Sequence, residues 1–133
     1  MREFNVLLKE IAHLPDPDVK IKPYPNGAVV TFKNGRRQML VVERQGDRYL
    51  MTSVVLGKTR VDNIGRAILL PRIWLRNRHT DCVAFMLDKR GRLVGRITQI
   101  AETLDPSELA FYIKSLAREC DQFEYVLIGQ DVQ

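Results

Sequence analysis

Gly57-Lys58-Thr59 comes nearest to a known chemistry. A glycine turn followed by lysine and threonine closes phosphate-binding loops, where backbone N–H groups and an ammonium cradle phosphates. That pattern needs a glycine five residues before Gly57, and Thr52 stands there. The run Thr52-Ser53-Val54-Val55-Leu56 reads as strand rather than glycine-rich loop, so the segment predicts a strand end and a turn. Nucleophilic catalysis needs a serine or cysteine with a base held beside it. Ser53 and Cys82 fall in strand-like runs, and no Gly-x-Ser-x-Gly elbow occurs. His13 and His79 stand alone, without a second histidine or cysteine at metal-ligand spacing. Asp16 and Asp18 alternate with prolines and lack the glycine and glutamate of a calcium loop. Asp121 and Glu124 have an ordinary place on a solvated helix face. The expectation is a chain without catalytic centre, metal or cofactor.

Charge offers more than these motifs do. The net charge is +5, and it is unevenly spread. Residues 58–96 hold ten Lys or Arg against Asp62, Asp81 and Asp88, whereas the chain from Ile100 onward holds seven acids against Lys114 and Arg118. Arg66, Arg72, Arg76, Arg78, Arg90 and Arg92 make the candidate basic patch. Such a field suits an anion or nucleic acid, or it complements the acidic final element within or between subunits. The strand Leu93–Ile100 carries none of the aromatics that stack bases on RNA-binding sheets, so nucleic acid is the alternative rather than the leading partner.

The elements that would position these residues are legible from periodicity. Phe4, Leu7, Leu8, Ile11 and Leu14 recur every three or four residues, which predicts an amphipathic helix stopped by Pro15-Asp16-Pro17-Asp18. Val19–Lys22, Ala28–Phe32, Gln38–Glu43 and Arg48–Gly57 are β-rich, punctuated by Tyr24-Pro25-Asn26-Gly27, Asn34-Gly35 and Gln45-Gly46-Asp47. They predict a meander of three strands or more. Asp62 reads as the N-cap of a second helix, with Ile64, Ile68, Pro71 and Leu75 on one side and a kink or break at Pro71. Cys82–Leu87 and Leu93–Ile100 predict two further strands about the turn Asp88-Lys89-Arg90-Gly91. Asp105, Pro106 and Glu108 open a final helix. Leu109, Ile113, Leu116, Cys120, Phe123 and Leu127 form one apolar stripe along it, and Gly129 is its expected end. The predicted order is α-βββ-α-ββ-α: an α+β fold, largely antiparallel, with helices packed on the sheet.

At 133 residues, 45% hydrophobic and 28% charged, residues 1–133 are expected to form a single domain with its own core. No apolar run approaches the ~20 residues of a membrane span. The start Met1-Arg2-Glu3-Phe4-Asn5 lacks the apolar stretch of a signal peptide, and Cys82 and Cys120 read as small buried hydrophobes of a reducing compartment. The expected location is therefore cytoplasmic, without membrane insertion.

This element order resembles the fold shared by class I type III secretion chaperones and the YbjN-like family of candidate bacterial sensory transduction regulators. Its closest local match runs from about Asn77 to Asp131. Phe85-Met86-Leu87-Asp88-Lys89-Arg90-Gly91-Arg92-Leu93 resembles the family's strand, Asp–Gly turn and strand. Leu104-Asp105-Pro106-Ser107-Glu108-Leu109 and Cys120-Asp121-Gln122-Phe123 resemble its closing helix. The resemblance implies a homodimer without enzymatic activity that holds an unfolded, extended segment of a client protein, or a domain of a partner. It makes the helix Asp62–Leu75 the dimer-interface candidate, through Ile64, Ile68, Pro71, Trp74 and Leu75. It makes Phe4, Leu7, Leu8 and Ile11 of the first helix, with Met39, Val41, Tyr49 and Met51 of the strands, the candidate partner-binding surface. The pI near 9.5 favours the YbjN-like branch over a dedicated secretion chaperone.

Overall fold

In the computed structural model, which describes residues 2–14 and 16–132 (at Arg2 and 130–132 the backbone alone), six strands form one antiparallel sheet with the helices on one face and at one edge. Helix α1 spans Arg2–Ala12 and is followed by β1 (Val19–Tyr24), β2 (Gly27–Phe32), β3 (Arg37–Gln45) and β4 (Arg48–Leu56). Then come α2 (Lys58–Ile64), α3 (Arg66–Asn77), β5 (Ala84–Leu87), β6 (Leu93–Ile100) and α4 (Pro106–Val132). The strand order is β1-β2-β3-β4-β6-β5.

The α+β class and the antiparallel sheet are as expected, with a fuller order of elements: four strands precede the helical middle, and that middle is two helices. The break falls at Gly65 and not at Pro71. Gly65 adopts φ 93°, ψ 141°, a conformation that side chains strain to reach, and its N–H closes α2 onto the Val61 carbonyl at 2.8 Å. Pro71 stays inside α3. It stands on the exposed side, like Ala67 one turn earlier, where water can satisfy the carbonyl that a proline leaves unbonded. Asp62 is not a cap but an interior residue of α2, where it receives the Lys58 ammonium at 2.8 Å.

The turns follow their sequence signals. Asn26 takes φ 58° between β1 and β2, and its N–H donates to Asn5 Oδ1 at 3.0 Å, pinning that hairpin on α1. Gly35 takes φ 87° between β2 and β3. Asp105 caps α4 by accepting the Glu108 N–H at 2.8 Å, and α4 continues through Gly129 to Val132. The predicted stop at Pro15 lies outside the described residues, and Leu14 projects exposed beyond the end of α1.

The core forms where α1 and α4 cover the sheet. The α4 stripe Leu109, Ile113, Leu116, Cys120, Phe123 and Leu127 is buried throughout. It packs over β3, β4 and β6. Alternation along β4 places Tyr49, Met51, Ser53 and Val55 beneath the helices. Gln38 is the buried polar exception on β3; its Nε2 donates to Ser53 Oγ at 2.8 Å and to the Val54 carbonyl at 2.7 Å. At Gly95 a Cβ would stand 2.5 Å from Cys120 Sγ, so β6 and α4 approach as closely as they do only because no side chain is there. No described helix is long and apolar enough to cross a membrane.

Candidate functional site

Strand alternation sends one set of side chains under the helices and the other onto the opposite face. Among the described residues no helix packs over that face, though Glu124 of α4 reaches its margin. On β3 the second set is Arg37, Met39, Val41, Glu43 and Gln45, all exposed, while Gln38, Leu40 and Val42 are buried. Val41 stands opposite Thr52, and Val54 opposite Val94. Val94 is flanked in turn by Met86 of β5. The result is a broad basin of about 1200 Å³ whose lining includes Met39, Val41, Leu50, Thr52, Val54 and Met86. Met39 is 63% exposed and Val41 51%, which is unusual for side chains in the middle of a sheet.

Charge gathers at one end of this basin. The register puts Arg37 at the start of β3 on the same end as the β5–β6 turn carrying Lys89 and Arg90. Arg96 lies further in, between Thr52 and Ala84. Its Nε is sealed from solvent and has no hydrogen-bond partner among the described residues. Arg37, Lys89, Arg90 and Arg96 have no ion-pair partner among the described residues. The acids nearby differ. Asp88 is held by Arg92 through two 2.8 Å bonds and accepts the Arg90 and Arg92 N–H groups. Burial pulls its carboxyl up, and these bonds outweigh that pull and set it below its ordinary value. Glu124 turns to Arg36 at 3.8 Å. Glu43 is the acid of the basin without an ion-pair partner among the described residues.

The structure separates the candidate residues named from sequence. Of the partner-binding set, Met39 and Val41 stand on the bare face, whereas Phe4, Leu8, Ile11, Tyr49 and Met51 are buried in the core and Leu7 is half-buried against it. Tyr49 and Met51 have the opposite strand parity from Met39 once β3 and β4 pair, so they point under the helices and offer no surface. Of the interface set, Ile68 (54% exposed), Trp74 (63%) and Leu75 (52%) share the outer side of α3 with Pro71, and Ile64 is half-buried on α2. Leu69 and Ile73 face inward instead.

The basic set does not form one patch. Arg76 turns inward to Glu119 at 3.5 Å and lies over the Phe123 ring. Arg78 stacks on Trp74, and Arg92 is committed to Asp88. Arg66 is exposed and Arg72 half-exposed on α3, a different element from the β5–β6 turn that carries Arg90. Arg37 and Arg96, absent from that set, sit in the basin. Their signal in the sequence is the two-residue period that places them in line with Met39 and Val94.

The chemistry of catalysis is sparse. The Ser53 hydroxyl donates to the Met39 carbonyl at 2.6 Å. Burial pushes the Cys120 thiol up to about 12, so it stays protonated. Cys82 is also raised by burial. Among the described residues no group of three His, Cys, Asp or Glu side chains could hold a metal ion.

No family model matches the chain, and no curated protein sequence does. Solved structures do resemble it. The ExsC–ExsE complex aligns with a TM-score of 0.62 at 20% identity, over 95% of this chain and 94% of the other. YbjN from E. coli, a candidate transcription regulator, aligns at 0.60 and 9% identity over 98% and 90%. The Yersinia pestis type III secretion chaperone SycH, solved with a stable YscM2 fragment, aligns at 0.50 and 17% identity over 85% and 92%. The chain therefore has the fold common to YbjN and type III secretion chaperones.

Proposed function

We propose that the chain is a non-enzymatic protein-binding module, chaperone-like or regulatory, that works as a homodimer and captures an extended segment or a domain of a partner protein. The carrying observation is the bare face of the sheet, where Met39 and Val41 stand open in a basin of about 1200 Å³. That exceeds the usual range of small-molecule pockets, and exposed apolar surface in a sheet centre suits a polypeptide partner. Two of the similarly folded structures hold a second protein: ExsE with ExsC, and a YscM2 fragment with SycH. The outer side of α3 supplies the dimer interface in this reading, with Ile68, Pro71, Trp74 and Leu75 as its apolar anchors.

Light scattering tests the assembly: a mass of twice 15.4 kDa is expected, and Trp74→Arg and Leu75→Asp should each reduce it to the monomer. A monomer at every concentration would remove the dimer. Affinity capture from the native cell, with wild type against Met39→Asp, tests the partner surface. Proteins retained by the wild type and lost with the variant support it, and identical recovery contradicts it.

The second reading, anion or nucleic-acid binding through residues 58–96, draws on Lys89, Arg90 and Arg96. It expects retention on heparin that falls steeply with salt.

A further inference from the structure

The two edges of the sheet decide how a partner can sit on it. At the β5 edge the Asn77 side chain stands where another strand's peptide would: Oδ1 accepts the Phe85 N–H at 2.8 Å and Nδ2 donates to the Phe85 carbonyl at 2.9 Å. At the β1 edge the Val19 N–H donates to Asp16 Oδ1 at 3.3 Å, and Pro23 has no N–H to offer. Both edges are thus blunted against an added strand. An extended segment laid across the bare face would find no ladder for its own backbone groups, and burying them unpaired is costly. A helix satisfies those groups internally and needs only an apolar stripe.

Charge selects among helices. Three acids of α4 are engaged inside the subunit: Asp121 meets Arg36 at 3.0 Å, Glu124 meets the same arginine at 3.8 Å and Glu119 meets Arg76 at 3.5 Å. Among the described residues Arg37, Lys89 and Arg90 at the basin's end have no ion-pair partner, and the Arg96 Nε in its floor has no acceptor. The Arg96 side chain as a whole is only half-buried, so a carboxylate over the basin can pair with its guanidinium, and a charge-assisted bond in such a place outweighs one at the surface. The floor around it holds Met39, Val41, Val54 and Met86 beside Thr52 and Thr98, and its lining has no aromatic ring on which bases could stack.

We infer that the bare face takes an acidic amphipathic helix of a partner protein, its apolar stripe on Met39, Val41 and Met86 and its carboxylates toward Arg37, Arg90 and Arg96. This rests on the protein-capture reading above, adds the sign of the partner's charge, and puts a helix in place of the extended segment.

The probe is a synthetic helix with leucines at i, i+3, i+4 and i+7 and a glutamate cluster at one end, compared by fluorescence anisotropy with its glutamine and lysine counterparts. The glutamate peptide should bind about tenfold tighter than the glutamine one and lose that margin in high salt. Arg96→Gln and the pair Arg37→Glu with Arg90→Glu should erase the preference while circular dichroism stays unchanged. Met39→Asp should weaken every peptide. Equal binding of all three peptides would overturn the charge inference and leave protein capture standing. Binding of none of them would overturn both the helix and its charge. Displacement of the glutamate peptide by a single-stranded oligonucleotide, with a steep salt dependence, would instead assign the basin to nucleic acid.

Discussion

The two faces of one sheet are built from the same strands and meet opposite fates. Under the helices, Leu40, Met51, Ile97 and the α4 stripe exclude water, and the buried polar groups Gln38 and Ser53 are bonded. On the bare face, apolar Met39 and Val41 are left in solvent near Arg37, Arg90 and Arg96, which have no ion-pair partner among the described residues. The first face is finished by its own chain. The second carries what a folded monomer has no use for: open apolar surface and uncompensated charge. In the proposed reading stability belongs to one face and recognition to the other, and single substitutions should divide along that line.

The largest contrast is between the centres of the two faces. Leu116→Ala, with Leu116 fully buried, is expected to cost about 2–5 kcal/mol in urea unfolding, whereas Met39→Ala should stay within about 0.5 kcal/mol. Comparable losses at both positions would erase the division. Next comes Gly95→Ala, which forces a Cβ against Cys120 Sγ and should cost about 1–3 kcal/mol. Adding Cys120→Ala in the same chain should return part of that loss, because the obstructing sulfur is gone. No recovery would mean that the cost is not steric. Asp105→Ala removes the cap of α4 and should lower stability by about 1 kcal/mol.

The smallest effect is the response to acid. Asp88 has a folded pKa below the ordinary aspartate value of 3.8, so its stabilisation is present above that value and fades as pH falls through the lowered one. Wild type should thus exceed Asp88→Asn in stability at neutral pH, with the gap closing in acid. A gap that persists unchanged at low pH would show that the Asp88 charge is not its source.

Much of the covered face was legible in sequence. The α4 stripe announces itself by its steps of four and three, and all six of its residues are buried. The turns at Asn26, Gly35 and Gly91 follow from residues that accept positive φ. The bare face was harder to read because it depends on pairing. Met39 and Met51 look alike as strand methionines, and only the β3–β4 register sends one outward and the other into the core. Gly65 was passed over in favour of Pro71 as the helix break, since a proline on a helix's solvent side costs less than its position in the sequence suggests. Arg37 and Arg96 fall in line with Met39 and Val94 by the two-residue period, but only the pairing of β3, β4 and β6 brings the two lines into one basin.

The central claim is that recognition resides on the bare face. Amide chemical shifts of the isotope-labelled chain, followed as the glutamate-tipped helix is added, test it most directly. The account predicts shifts concentrated on Met39, Val41, Thr52, Met86 and Arg96, with α1 and the outer side of α4 unmoved. Shifts centred on α1 or α4, with the sheet residues silent, would contradict it.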